Sequence, residues 1–416
     1  SSASIAAGTT AQFEAVGTFA DASTRTLTGE VAWSTDVSSV ATVSASGLAT
    51  GIGAGVARVI ASSGAIMGQA SLTVTAQPVI LASIAVSPAS TSAPIGSSVQ
   101  FAAVGTFTDG STRAFASGAG AWQSKAPMGT ARTGAAGAYA GGKFFVFGGV
   151  ALTSTEAYDP LTDAGSVRAP QSVNRSYAQA AELDGKIYVV GGAVNADGNA
   201  ATTALWMYDP AANTWTAKAP MPTARFHLAF EAIDGKLYAA GGLVPGYSAT
   251  SALAVYDPVT NTWQTKASMP LARGHVAGGA IGGKLYVAGG SPTAAQLQIY
   301  DPATDTWTLG ASQPLARYAQ MGVVLDGRLY VMGGQSAAGT AADGKRTFVY
   351  DAAAGAWSEG PQLNTARYAP AAAVGAGKIF VAGSLFGNQN TTALEMLEPQ
   401  NEVVWSVDAP SVATVT

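Results

Sequence analysis

The 416-residue sequence predicts an all-β chain in which a ring of six small sheets is accompanied by β-sandwich segments. Three observations predict it. A motif recurs six times at intervals of 43 to 50 residues. Each copy reads as four short alternating strands separated by turn residues. A second, unrelated repeat of sandwich-like strands lies on both sides of the first.

The six-fold repeat comes first, because internal periodicity constrains architecture more than any local signal. Gly-Gly pairs begin at Gly148, Gly191, Gly241, Gly289 and Gly333, with Gly383-Ser384 in the sixth place. An arginine lies 16 positions before each: Arg132, Arg175, Arg225, Arg273, Arg317 and Arg367. A tryptophan slot lies 10 positions before each arginine, holding Trp122, Trp215, Trp263, Trp307 and Trp357, with Gly165 in the second copy. Tyr158, Tyr208, Tyr256, Tyr300 and Tyr350 stand 7 positions before the following slot, and Leu397 takes the sixth tyrosine place. Asp184-Gly185, Asp234-Gly235 and Asp326-Gly327 favour two-residue hairpin turns. A single four-stranded sheet leaves both faces uncovered, and radial stacking buries each face on a neighbour.

These residues, in register over roughly 120–399, resemble the kelch repeat, which implies a six-bladed β-propeller. The sixth unit supplies three strands, so the Trp122 strand is expected to complete the last blade and remove a free edge. Trp405 competes for that place at a spacing of 8 rather than 7.

The second repeat relates Gly17-Thr-Phe19 and Thr24-Arg25 to Gly105-Thr-Phe107 and Thr112-Arg113, an offset of 88. It also relates Trp33-Ser and Ser39 to Val43 with Trp405-Ser and Ser411 to Val415, an offset of 372. The difference, 284 residues, is the propeller, which therefore falls inside the second copy. With Gly47 to Gly51, these segments resemble bacterial Ig-like domains of group 2, found in surface proteins and adhesins. The expected organisation is an Ig-like domain over 1–78 with its first strand missing, and the first part of a second Ig-like domain over 79–119. The inserted propeller follows over 120–399, and 400–416 continue the second domain with its last strands missing. Either the chain is a piece of a longer tandem array, or strands of neighbouring chains finish the sandwiches by strand addition.

Composition narrows function. Charged residues make up only 11%, against about 25% in an average soluble protein. This suits an extracellular or bacterial cell-surface assembly. Lys and Arg number 21, are spread thinly and leave a net charge of −4, so nucleic acid is not an expected partner. No membrane span is expected, nor a leader at the first residues. Cysteine is absent and histidine occurs twice, at His227 and His275, so no cofactor and no metal site are expected. The Lys residues 143, 186, 236 and 284 read as solvated hairpin tips.

Length varies in one place per repeat, between Gly-Gly and Tyr, where the separation runs from 10 to 17 positions. That loop shares a face with the turn before the innermost strand, and variable loops on a rigid scaffold carry recognition. The residues following each Arg belong near this face and the channel. Arg132, Tyr177, Phe226, His227, His275, Tyr318 and Tyr368 are candidate ligand-binding residues; the resemblance implies sites after Gly-Gly as well, adding Gln335 to that set, with Leu243 and Phe386. Aromatic faces with imidazole and guanidinium neighbours suit sugar rings. The reading ranked ahead of this one takes the same aromatics as a channel plug, and the repeated Arg as a hydrogen-bond donor between blades. The kelch resemblance also implies enzymes, namely copper oxidases of galactose and a sialic acid epimerase. The first requires a Cys-Tyr cofactor that a cysteine-free chain cannot make, and for the second Glu182 and Glu231 are the nearest carboxylates. The function read from the sequence is therefore an extracellular structural or adhesive protein. Its partners are other copies of itself or further Ig-like domains, with a glycan or surface-protein ligand; a sugar-active enzyme is the alternative.

Overall fold

The computed structural model describes residues 2–75, 81–87, 101–108, 112–115, 120–194, 200–387 and 389–398. The chain divides into two compact units, Ser1–Phe115 and Ala116–Thr416.

In the second unit the described residues form six four-stranded antiparallel sheets. The first sheet runs Ala136–Ala140, Lys143–Phe147, Thr155–Asp159 and Ala164–Arg168 from axis to rim. Four further sheets repeat it, beginning with inner strands Gln179–Leu183, Ala229–Ile233, Ala277–Ile281 and Met321–Leu325. The sixth contains Ala371–Gly375, Lys378–Ala382 and Leu394–Leu397, and its outer strand is Gln123–Lys125 from before the repeats. Strand Gln123–Lys125 therefore closes the ring as expected, with Trp122 buried beside it. Trp405 lies outside the described residues.

Packing explains the motif. The Tyr side chains are buried between sheets: Tyr208, Tyr256 and Tyr300 are 0% exposed. Each Trp is tied to the preceding sheet through its indole N–H, which donates to a backbone carbonyl. Trp215 donates to Ala169 (2.9 Å), Trp263 to Ala219 (2.7 Å), Trp307 to Ala267 (2.8 Å), Trp357 to Ala311 (2.7 Å) and Trp122 to Pro361 (3.0 Å). An Asx residue five positions after Tyr adds a second tie. Asn213 accepts from the Tyr208 hydroxyl (2.6 Å) and from the Ala169 N–H of the preceding sheet (2.8 Å). Asp163, Asn261 and Asp305 repeat this arrangement. The Asp-Gly turns have both residues at positive φ, as at Asp184 (52°) and Gly185 (75°), which the two-residue hairpin demands.

Two expectations are corrected here. The hairpin-tip lysines are not merely solvated. Lys143, Lys186, Lys236 and Lys284 pair with Asp159, Asp209, Asp257 and Asp301, the carboxylates of the Tyr-Asp-Pro turns. The repeated Arg side chain donates within its own sheet rather than between sheets. Arg225 Nη1 reaches the carbonyls of Gly241 (2.8 Å) and Ala252 (2.9 Å), tying the Gly-Gly bend to the start of the third strand.

In the first unit, one sheet has the order Ser2–Ala6, Ile66–Thr75, Gly55–Ser63, Ala32–Thr35, and another Thr10–Gln12, Leu48–Gly51, Ala41–Val43. Phe13, Ala41, Ala49, Val59, Leu72 and Val74 form the core. The expectation of a missing first strand over 1–78 is overturned, because Ser2–Ala6 pairs in parallel with Ile66–Thr75. Leu81–Ser87, Ala102–Phe107 and Thr112–Phe115 form a three-stranded antiparallel sheet. Its register repeats the first copy: Gly17 faces Arg25 and Gly105 faces Arg113. The expected continuation over 400–416 lies outside the described residues.

Candidate functional site

The residues two positions after each repeated Arg adopt left-handed backbone conformation: Gly134 (φ 63°), Tyr177 (56°), His227 (50°), His275 (53°), Ala319 (54°) and Ala369 (49°). This geometry forms a belt around the axis. The Tyr177 N–H donates to Gly134 O (2.7 Å), His227 to Tyr177 (3.0 Å), Ala319 to His275 (3.0 Å) and Ala369 to Ala319 (2.7 Å). At the junction of the sixth and first sheets a hydroxyl bridges the gap. Ser384 Oγ donates to Ala369 O (3.1 Å) and accepts from the Gly134 N–H (3.0 Å), which accounts for serine in place of the second glycine there.

The side chains of the belt meet at the axis. Gly134 leaves room for the Tyr177 ring, since a Cβ there would lie 2.6 Å from it. Tyr177 stacks on His227 at 4.0 Å, and His227 lies 3.8 Å from His275 between ring centroids. Tyr318 and Tyr368 fill the side where the belt carries alanines, at 5.7 and 6.5 Å from His275. Phe226 and Leu243 are buried behind them and paired through backbone. Gln335 pairs with Tyr318 through backbone in the same way, and is half-buried.

The structure thus brings Tyr177, Phe226, His227, His275, Tyr318 and Tyr368 into one cluster that plugs this end of the channel. Arg132 is not part of it. Its guanidinium is 0% exposed and donates to Gly148 O (2.7 Å), Ser154 O (2.9 Å) and Glu156 (2.7 Å), so it serves the wall and not a ligand. The sequence reading missed Tyr247. It sits on the third sheet's variable loop, between the short strands Leu243–Val244 and Ser248–Ala249, 49% exposed and edge-on to Phe226 at 5.4 Å. The length of that loop was the signal that could have found it.

Burial dominates the electrostatics. It pushes the His275 pKa down to about 4, and burial together with the neighbouring His275 holds His227 well below its ordinary value. Both imidazoles are therefore neutral at pH 7. Neither ring nitrogen of His275 has a hydrogen-bond partner among the described residues. Burial also raises the Tyr368 pKa, helped by the nearby hydroxyls of Tyr318, Tyr177 and Tyr247. A histidine kept neutral by folding stabilises the native state above its unfolded pKa of about 6.5; that contribution is lost as pH falls toward 4. Melting temperature should therefore drop between pH 6.5 and 4, and a His227→Phe/His275→Phe variant should flatten the drop. Superimposable Tm–pH curves would contradict this.

Behind the plug the bore holds a cavity of about 360 Å³ lined by inner strands, with Tyr139, Gln179, Glu182 and Glu231 as its larger polar groups. Burial pushes the Glu231 carboxyl up to about 8. Glu182 accepts from the Gly185 N–H in its own turn (2.6 Å). His227 lies in the left-handed turn before the inner strand Ala229–Ile233, which carries Glu231. Among the described residues no group of three or more His, Asp or Glu side chains gathers to hold a metal, and no helix is long and apolar enough to cross a membrane.

A family model described as the Attractin/LZTR1 beta-propeller matches residues 153–392. The chain belongs to this family. Residues 1–74 match the Bacterial Ig-like domain (group 2). The solved structure titled "Structure of YjhT" superposes with a TM-score of 0.57 at 17% identity, covering 66% of this chain and 99% of that one, a likeness of fold. "Ice-binding protein 1" of Shewanella frigidimarina (strain NCIMB 400) is 45% identical over 107 residues, 26% of this chain. The chain spans 12% of that relative's length.

Proposed function

We propose that this chain is a bacterial extracellular or cell-surface protein, structural or adhesive, in which Ig-like segments display the propeller as a binding module for a glycan or a surface protein. The Ig-like and propeller families fit a surface protein, and likeness to a segment of an ice-binding protein is consistent with that setting. In this reading the propeller interrupts a second Ig-like domain formed by 79–119 and 400–416. Strand exchange between sandwiches would join copies into a fibre.

The observation that carries the binding role is the aromatic rim on the variable-loop face. Tyr318 and Tyr368 pack on the neutral His275 ring, which lies against His227, and Tyr247 packs edge-on to Phe226. Such a surface stacks on sugar or peptide rings. Glycan-array retention should fall at least tenfold in a Tyr247→Ala/Tyr318→Ala variant and be unchanged in Glu231→Gln. A second reading, a sugar-active enzyme, is favoured by the raised Glu231 pKa in the bore. Turnover of a sugar that disappears in Glu231→Gln while rim variants retain it would establish that reading instead.

A further inference from the structure

The bore inside the ring is a pocket closed at one end. Tyr177 and His227, 8% and 5% exposed, close it on the belt side. On the hairpin side it opens past Glu182, which is exposed and stands just before the Asp184-Gly185 turn. Each inner strand pairs with a neighbour on one side only, so its other edge turns backbone N–H and C=O groups toward this space of about 360 Å³. A cavity of that size holds a small molecule. Its described lining includes two carboxyls, Glu182 and Glu231, and no Lys, Arg or His.

Glu231 differs from the other buried acids of the ring. Glu156 and Glu395 each accept from an arginine, Arg132 and Arg367, and from backbone N–H groups. Asp343 accepts from Ser336 and Thr340. Glu231 stands in the bore wall, where burial alone raises its carboxyl to about 8, with no hydrogen bond or cation to offset it. Gly278 on the next sheet leaves it room, since a Cβ there would lie 2.9 Å from Glu231 Oε1. A buried acid without a partner costs the fold stability, and a cationic ligand would remove that cost. We propose that the bore is a binding site for a small polar molecule carrying a primary ammonium, no larger than an amino sugar, whose charge is met by Glu231. The ammonium donates to the Glu231 carboxylate. Gln179, the Tyr139 hydroxyl and the free strand edges bond the polar body. Glu182 at the mouth favours entry of a cation and disfavours an anion. A calcium ion would need about six to eight oxygen ligands, and among the described residues no group of three acids gathers to supply them. The site is separate from the aromatic rim and does not rest on it.

Isothermal titration calorimetry of the full chain at pH 7 with glucosamine, glucose and glucuronate compares one ring in cationic, neutral and anionic form. Glucosamine should bind at least tenfold tighter than glucose, and glucuronate should not bind. Glu231→Gln keeps the shape and an acceptor oxygen but removes the charge. It should weaken glucosamine at least tenfold, with Tm unchanged or raised. Glu182→Gln, at the exposed mouth, should weaken it by a smaller factor. The rim variant Tyr247→Ala/Tyr318→Ala should bind glucosamine as the parent does, so failure at the rim and failure in the bore are read separately. Glucose bound as tightly as glucosamine, affinity indifferent to Glu231→Gln, a Tm lowered by that variant, or no glucosamine binding at millimolar concentrations would each overturn the proposal. So would displacement of glucosamine by calcium, because a metal ion would then be the occupant.

Discussion

Arg367→Ala is expected to destabilise the propeller by about 3–5 kcal/mol, lowering Tm by on the order of 10 °C. Arg367 is 0% exposed and donates to Gly383 O (2.6 Å) and to Glu395 (2.6 Å). Glu395, 1% exposed, also accepts from the Asn364 and Thr365 N–H groups. Removing the guanidinium leaves a buried carboxylate with backbone donors alone, and it sits on the strand that pairs with Gln123–Lys125. Arg225, by contrast, binds only backbone carbonyls and the Met221 sulfur, with no carboxylate to strand. Arg225→Ala should therefore cost less than Arg367→Ala, and Arg367→Ala/Glu395→Gln should recover part of the loss. Thermal unfolding of the four proteins checks this; equal losses at 225 and 367 would refute the buried-charge argument.

Gly322→Val should be at least as damaging, at about 3 kcal/mol or more. A Cβ at Gly322 would land on the Gly278 carbonyl oxygen, with Gly278 N only 2.8 Å away. The inner strands of the fourth and fifth sheets thus approach backbone to backbone, and neither neighbour is a flexible side chain that could yield. A Cβ at Gly278 would in turn meet that of Ala229 at 2.9 Å, so the strain cannot pass around the ring. Loss of soluble monomer or a fall in Tm larger than that of Ala180→Val is expected. A Gly322→Val protein with unchanged Tm would show that the strands stand farther apart.

The ring was legible in the sequence because its determinants are local and repeated. Trp, Arg, Gly-Gly and Tyr recur at fixed spacing, and each spacing corresponds to one position in a sheet. Closure by Gln123–Lys125 followed from counting strands. The Asx tie escaped because it alternates between Asp163, Asn213, Asn261, Asp305 and a bare Gly355, and only the shared left-handed turn makes them equivalent. The carboxylate partners of the repeated Arg escaped because they occur in two sheets only, as Glu156 and Glu395. Strand Ser2–Ala6 was missed because its partner, Ile66–Thr75, lies more than 60 residues away. Of the site, the aromatic and imidazole positions were readable. What they do was not, because the choice between rim and plug depends on the left-handed turn that aims Tyr177, His227 and His275 at the axis.

The account depends on a closed ring, since only a closed ring holds the belt and the tyrosines above it in place. Amide hydrogen exchange of the full chain, read at residues 123–125, measures that closure. Protection comparable to the outer strands Thr214–Lys218 and Thr262–Lys266 is predicted, with simultaneous deprotection of Leu394–Leu397 when 123–125 are deleted. Exchange at the rate of unstructured peptide at 123–125, with Leu394–Leu397 indifferent to the deletion, would contradict the account.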